Sequence, residues 1–384
     1  MPLIFSDDLT GAGDVGAQCL ALGWRVRVEF GAGGWDRTAA PTRNEVVVAD
    51  LETRRLSPQA AGIRAGDAGK AFRRRGLRPC VFKMDSTLRG NYLQEARALR
   101  KAIRAVRVWF VPANPGQGRW TVEGRVFVNG IPLEKTEYAK DPLQPVSSGI
   151  VGGPGTANLG LAGPVHGRAR FISVDAISDA DLARFARRVK HDELVFGAAP
   201  VARHLAGRPG KPVRFSPSLS GRWLGIFGTL NPRTQVQLKA ASKIPGVKVT
   251  WLKPGNLVAG KTPPVPAGAR AWMVALDPAA FRPTLAGRDA LARGNRKAEL
   301  LGVLAAACRE AFQPAGLLVS GGLTAIEVCE KNGITGLTLM KELEPGLVAS
   351  RAVWNGPRLE IITKPGGFGA GDAIVKIINR IRRA

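Results

Sequence analysis

The sequence predicts an α/β protein of two domains, each built on a mainly parallel sheet flanked by helices, with a β-hairpin inserted in the first. Three observations predict it. Short β-rich runs alternate with amphipathic helical stretches, the pattern that parallel α/β units leave in a sequence. The 384 residues exceed what one core usually holds, since domains run roughly 100–200 residues. Pro, Gly and Ser concentrate near the middle, in "GRPGKPVRFSPSLSG" (207–221), as they do in linkers. The expected domains are therefore residues 1–206 and 222–384, joined by 207–221.

In the first domain "PLIF" (2–5) reads as a strand and 11–23 as a helix. "RVRVEF" (25–30) and "EVVVA" (45–49) are rich in β-branched residues and read as strands, 57–75 as a helix, "CVF" (80–82) as a strand. A helix over 92–105 and a strand at "VWFVP" (108–112) follow. "TVEGRVFVNGIPL" (121–133) alternates by two and carries Asn-Gly at 129–130, the signal of the inserted hairpin. Residues 147–168, rich in Gly, Ser and Pro, read as a flexible excursion. "ARFISV" (169–174), a helix over 178–190 and "LVFG" (194–197) then resume the alternation. In the second domain the strands are "WLGIFG" (223–228), "VKVTWL" (247–252), "AWMVAL" (271–276) and "GLLVS" (316–320). Its helices start at 232, span 287–311, start again at 323 and close the chain over 371–383, and no internal repeat is visible.

Composition excludes several classes. A mean hydropathy of -0.02 is that of a soluble globular chain. No apolar run approaches the ~18 residues a membrane span needs. The start, "MPLIFSDDLTG", lacks a basic segment ahead of an apolar one, so it does not read as a signal peptide and the cytoplasm is expected. Cys19, Cys80, Cys308 and Cys329 form no CxxC pair, so buried reduced thiols are expected rather than a zinc site. His166, His191 and His204 are too few for a histidine-centred mechanism. The net charge of +26 has two readings. One is nucleic-acid binding through released counterions. The other, favoured by apolar residues at helical spacing inside "KAFRRRGLR" (70–78) and "RALRKAIRAVR" (97–107), is basic outer faces on amphipathic helices. Aromatics do not interleave with these runs as stacking platforms would.

Four polar loops follow strand-like runs, where open α/β sheets place their ligand crevice. "SDDLTGAGD" (6–14) suits cation binding or proton abstraction from a hydroxyl, though a helix cap needs only one of its aspartates. "KMDSTLRGN" (83–91) packs two cations, a carboxylate, two hydroxyls and an amide around Gly90. Lys83 and Arg89 fit a carboxylate ligand, and Asp85 fits a hydroxyl. "SGGLTA" (320–325) and "KPGGFGAGDA" (364–373) each put glycines before a helix, where bare N–H groups attract phosphate. Neither has the Walker or the Rossmann spacing. "GAGD" occurs at both 11–14 and 369–372, so it is not diagnostic.

Taken in order, these segments resemble the four-carbon acid sugar kinase family, whose members phosphorylate threonate, erythronate or oxo-tetronate with ATP. "DDLTGAGDVGAQ", "KMDSTLRGN" and the stretch 112–146, "PANPGQGRWTVEGRVFVNGIPLEKTEYAKDPLQPV", carry the likeness, which spans nearly the whole chain. It implies a sugar-acid-binding N-terminal domain, a nucleotide-binding C-terminal domain, and ATP with Mg²⁺ as cofactors. The implied partners are a small sugar acid and ATP, with no membrane and no nucleic acid, and with room for a homodimer. By position, Asp7, Lys83, Ser86, Arg89 and Asn91 are the implied substrate-binding residues. Asp8 is the implied base and Asp85 its alternate. Thr229, Asn231, Gly321, Gly322, Thr324, Gly366 and Gly367 are implied at the nucleotide. The chain departs from the family pattern where Thr229 and Asn231 replace serines, and at Ala198 to Val201. Leu323 stands where an acid able to serve Mg²⁺ is common, with Asp372 a substitute. These departures leave a catalytically weakened sugar-acid-binding homologue as the alternative.

Overall fold

A computed structural model describes the chain except residues 1–2, 32–38, 142–145, 147, 153–155, 162, 164–168, 214, 258–261, 282–287 and 384. His166 and all but the aspartate of "DPLQP" lie outside the described residues. The chain divides into two compact units, Met1–Val213 and Arg214–Ala384.

The first unit runs β1 (Leu3–Ser6), α1 (Leu9–Ala21), β2 (Arg25–Glu29), β3 (Glu45–Asp50), α2 (Pro58–Arg74), β4 (Val81–Lys83), α3 (Tyr92–Ile103) and β5 (Val108–Val111). After the short strands β6 (Arg119–Val122), β7 (Arg125–Val128) and β8 (Ile131–Pro132) come β9 (Ala157–Leu159), β10 (Phe171–Val174), α4 (Asp179–Ala186), β11 (Leu194–Gly197) and α5 (Ala199–Leu205). The main sheet has the order β2-β3-β1-β4-β11-β5-β10-β9, every neighbouring pair parallel. Helices cover both faces, so β1, β3 and β11 are buried end to end and read as continuous apolar runs. Leu3, Phe5, Val47, Phe82 and Phe110 pack with Phe72 of α2 and Leu99 of α3 on one face. α1 shares none of that cluster and lies on the other face, against α5. In the basic stretches Lys70, Arg73, Arg97 and Lys101 are exposed while Phe72, Leu99 and Ile103 are buried, the amphipathic pattern expected.

The inserted hairpin is a three-stranded antiparallel sheet, β6-β7-β8. Asn129-Gly130 makes its second turn, as expected. A first turn forms at Glu123-Gly124, where both residues also have positive φ (51° and 69°). The Asp175 carboxylate holds that turn, accepting from the Glu123 and Gly124 N–H groups at 2.7 and 2.9 Å. The cue for this turn is thus an aspartate 51 and 52 residues away. Two further corrections concern short elements. β9 lies inside the stretch taken as irregular, and the seven-residue α5 went unanticipated.

The second unit runs β12 (Trp223–Phe227), α6 (Pro232–Ala241), β13 (Val247–Leu252), β14 (Ala271–Leu276), α7 (Arg288–Phe312), β15 (Gly316–Ser320), α8 (Gly322–Lys331), β16 (Gly336–Glu344), β17 (Leu347–Val353), β18 (Glu360–Lys364) and α9 (Ala373–Arg383). Its strand order is β13-β14-β12-β15-β18-β17-β16. The first five strands are parallel, whereas β17 pairs antiparallel with both β18 and β16. This mixed edge, β16 to β18, is an addition to the sequence reading.

The Pro-, Gly- and Ser-rich stretch between the domains is anchored at both ends. Within the first unit Val213 donates to Gly23 O at 2.7 Å and Trp24 Nε1 to Gly207 O at 3.2 Å. Within the second, the Glu360 carboxylate accepts from the Ser218 and Leu219 N–H groups at 2.9 and 3.0 Å. No described helix is long and apolar enough to cross a membrane. The four cysteines are unpaired, and Cys19, Cys308 and Cys329 are buried.

Candidate active site

In the first unit the register pairs Ser6 with both Asp50 and Lys83, so the C-terminal ends of β3, β1 and β4 lie side by side. Helix α1 leaves β1 on one face and α3 follows β4 on the other. Such a divergence of helices from adjacent strands opens a crevice beyond the strand ends. Three loops meet there. The loop after β3 docks on the loop after β1, with Leu51 N–H on Ser6 O at 2.9 Å and Arg54 N–H on Asp7 O at 3.1 Å. Asn91, at the start of α3, donates both amide hydrogens to that same loop, to Thr53 O and Leu56 O at 2.9 and 3.0 Å. Its place in the structure is thus a tie between loops. Two non-glycine residues in these loops, Glu52 and Leu88, hold positive φ (50° and 57°). Such strain, about 1–3 kcal/mol each, persists where surrounding contacts over-determine it.

Arg54, which motif reading did not single out, organises the aspartates. Its Nε and Nη2 fork onto Asp7 at 2.9 and 2.8 Å, and Nη1 reaches Asp8 Oδ2 at 2.8 Å. Asp8 is also the cap of α1, its Oδ1 accepting from Gly11 N–H at 2.8 Å and its Oδ2 from the Thr10 hydroxyl at 2.6 Å. Asp85 Oδ2 accepts from the Thr87 hydroxyl and from Arg89 Nε, each at 2.6 Å. Arg89 continues to Asp141 Oδ2 at 3.2 Å and lies over the Tyr138 ring, 5.4 Å from its centroid. Lys83 is buried and donates to Met84 O at 2.9 Å. Ser86 is buried without a hydroxyl partner among the described residues.

The electrostatics separate these acids. Burial raises the Asp7 carboxyl, with Asp8 adding to it and Arg54 opposing. Burial likewise raises Asp50 well above its usual value, reinforced by Glu52, and raises Asp14 against the pull of Lys83 and Arg119. Glu95 on α3, fully buried with both carboxyl oxygens unpartnered, is pushed up to about 8 by burial and by Asp7. Asp85 goes the other way. Burial pushes it up, but Arg89 and Arg54 outweigh burial and hold it well below the carboxylate range.

In the second unit the ends of β12, β15 and β18 are in register, Phe227 beside Ser320 and Ser320 beside Lys364. The loops carrying Thr229, Asn231, Gly321, Gly322, Thr324, Gly366 and Gly367 therefore share one edge. Helix α8 opens at Gly321 (φ 107°) with no side-chain cap, and its first N–H groups have no intrahelical acceptor. A side chain at Gly366 would meet Thr229 Oγ1 at 2.4 Å. The glycine loop 365–370 is held from α6: Thr234 Oγ1 donates to Gly366 O at 2.6 Å, and Gln237 Nε2 donates to Ala370 O at 2.7 Å. Asn231 instead caps α6, accepting from Arg233 N–H at 2.9 Å. Lys364 is fully buried, its Nζ donating to Thr234 Oγ1, Pro365 O and Gly366 O at 2.9, 3.1 and 3.2 Å. Burial, with Arg233 nearby, lowers it to about 7. Bare amides, excluded side chains and a buried cation suit an anionic phosphate chain. Asp372 is exposed and paired with Lys376 at 3.1 Å, and among the described residues no three His, Cys, Asp or Glu side chains gather as cation ligands.

Residues 3–152 match the family described as a sugar-binding N-terminal domain, and residues 224–374 match the one described as a nucleotide-binding C-terminal domain. The chain belongs to the four-carbon acid sugar kinase family. A D-threonate kinase of Bordetella bronchiseptica is 30% identical, over 99% of this chain and 97% of that one. A 3-oxo-tetronate kinase of Methylobacterium radiotolerans is 26% identical over 96% of both. A D-erythronate kinase of Heliobacterium modesticaldum is 34% identical over 39% of this chain and 34% of its own length. Among solved structures, a Salmonella typhimurium LT2 protein superposes with a TM-score of 0.71 at 19% identity, over 97% of this chain and 98% of that one. A Haemophilus influenzae protein gives 0.68, also at 19%, over 98% and 99%. These two likenesses bear on the fold alone.

Proposed function

We propose that the protein transfers the γ-phosphoryl group of ATP to a hydroxyl of a four-carbon sugar acid of the threonate, erythronate or 3-oxo-tetronate type. The single observation that carries this reading is family membership along nearly the whole chain, with both matched domains present. The geometry of each unit supports it. In the sugar-acid-binding domain, taken as 1–206, buried Lys83 and half-buried Arg89 answer a small carboxylate, with Ser86 for hydroxyls. Asp85 orients Arg89, and Asp7 and Asp8 hold Arg54 at the crevice. In the nucleotide-binding domain, 222–384 beyond the 207–221 linker, the amides at Gly321, Gly322 and Gly366, with Thr229, Thr324 and Gly367, receive the phosphates.

Phosphoryl transfer asks little covalent chemistry of a protein, mainly alignment and neutralised charge. Mg²⁺, when bound with ATP, would neutralise phosphate charge. The work of the chain is reactant-holding and placing a group for the hydroxyl proton. A screen of four-carbon acids with MgATP, read by ADP release and with acid binding followed by calorimetry, tests the reading. ADP formation with at least one acid is expected. Acid binding without ADP formation would favour a non-catalytic binding homologue, and neither signal would sink the reading.

A further inference from the structure

We propose that Asp14, on the second turn of α1, is the base that takes the proton from the reacting hydroxyl. This rests on the kinase reading above. A base needs a carboxylate oxygen open toward substrate and a proton affinity near working pH. Glu95 and the unbonded Asp50 oxygen are sealed in the interior, out of reach of a substrate, and the remaining acids are engaged by protein donors. Both Asp7 oxygens are held by the Arg54 fork. Asp8 receives Gly11 N–H on one oxygen, and Thr10 and Arg54 on the other. Asp85 takes Thr87 and Arg89 on Oδ2 alone, and it is the Arg89 and Arg54 charges that make it a poor proton acceptor. Asp141 takes Arg89.

Asp14 makes no hydrogen bond or ion pair among the described residues, although it lies within the same charge cluster. Helical side chains lean back over the preceding turn, so Asp14 leans over Gly11. A side chain added at Gly11 would come 3.4 Å from Lys83 Nζ and 2.5 Å from Asp8 Oδ1. The glycine therefore leaves the space beside Lys83 and Asp8 open to Asp14. The charges bearing on Asp14 come from three segments: Asp8 on its own, Lys83 at the end of β4 with Asp85 just after it, and Arg119 on β6. It is half-buried, neither sealed in the core nor in open water. Burial raises its proton affinity, and Lys83 and Arg119 pull against that rise. In the transfer, the hydroxyl oxygen bonds to the γ-phosphorus as the bond from that phosphorus to the β–γ bridging oxygen breaks. ADP leaves with that electron pair, and the hydroxyl proton passes to an Asp14 oxygen and then to water.

The experiment compares wild type, Asp14→Asn, Asp14→Glu and Asp85→Asn, following kcat against pH, acid binding by calorimetry, and thermal unfolding. Asp14→Asn is expected to keep acid affinity and melting temperature while kcat falls about 10²–10⁴-fold. The acid limb of the kcat profile should vanish with it. Asp14→Glu should recover part of the rate, and Asp85→Asn should keep the acid limb. Near-wild-type turnover of Asp14→Asn, or an unchanged acid limb in it, overturns the assignment. So does a rate loss fully matched by lost acid binding or lost fold, which would make Asp14 a binding or structural residue. A wild type inert toward every acid is a separate result, and it removes the kinase reading itself.

Discussion

Lys364 gives a prediction that can be worked through to a number. Its ammonium is fully buried at the end of β18, bonded to three neutral oxygens and to no carboxylate among the described residues. Burial lowers it to about 7 because the charged form lacks a counter-anion. A nucleotide bound at the adjoining glycine loop brings that anion, which favours the ammonium and raises its pKa. At pH 8 the free protein holds about one-tenth of a proton on Lys364, so nucleotide binding takes up about 0.9. At pH 7 the uptake is about 0.5, and by pH 5.5 it is nearly nil. Affinity for ATP therefore falls as pH rises above 7, approaching about tenfold per pH unit while one proton is linked. Calorimetry in two buffers of different ionisation enthalpy measures the uptake directly. Lys364→Met should abolish it and weaken nucleotide binding at pH 7. Zero uptake in the wild type at pH 8, or the same uptake in Lys364→Met, would refute the reasoning.

Three further predictions concern packing and buried charge. Gly366→Ala drives a methyl to 2.4 Å from Thr229 Oγ1; overpacking of about 1–3 kcal/mol should raise the ATP KM roughly tenfold or more, and adding Thr229→Ala should relieve part of it. Arg54→Met strips Asp7 and Asp8 of their shared cation, which should cost about 3–5 kcal/mol in chemical unfolding, while a loss below about 1 kcal/mol would mean the pair is solvated. Glu95, with a folded pKa raised to about 8, carries a proton in the fold that the unfolded chain releases, so its contribution to stability is lost as pH rises from about 4.5 to 8. Glu95→Gln should flatten that slope and gain about 1–3 kcal/mol at pH 8, visible as a higher Tm.

Much of the scaffold was legible because strands buried on both faces leave unbroken apolar runs. "AWMVAL", "GLLVS" and "LVFG" match β14, β15 and β11 residue for residue, while "VKVTWL" matches β13, a partly exposed strand, through its β-branched residues. β16 defeats that cue, since Lys341, Glu342 and Glu344 interrupt its apolar pattern and its pairing with β17 shifts register at Leu339/Lys341 and Glu342/Glu344. The loop 83–91 stood out in the sequence through its excess of polar side chains, and the structure gathers it with the loops after β1 and β3. Arg54 was not, because nothing local to "LETRR" shows what it faces. Its use follows from the strand order β3-β1-β4, which is settled by packing far from Arg54. Asp14 sat inside a quoted motif, but its open carboxylate becomes visible only once Asp8 is seen capping α1 and holding Arg54.

The same partner relations explain how a crevice with so many acids can receive an anion. Arg54 is committed to Asp7 and Asp8, and Arg89 bridges Asp85 and Asp141, so two guanidiniums are shared among four carboxylates and offset half of their charge. Lys83 is the exception. It is buried, forms no ion pair among the described residues, and directs one recorded bond to a neutral carbonyl, Met84 O. Asp7 and Asp14 feel its charge without bonding it, so the ammonium keeps donors for a further acceptor. A short sugar acid carries one carboxylate, which Lys83 can match, and several hydroxyls, which the paired acids can orient without accepting their charge. Under the proposed function, a preference for an acid over a neutral polyol would rest chiefly on Lys83, the cation of the pair with Arg89 that forms no ion pair among the described residues.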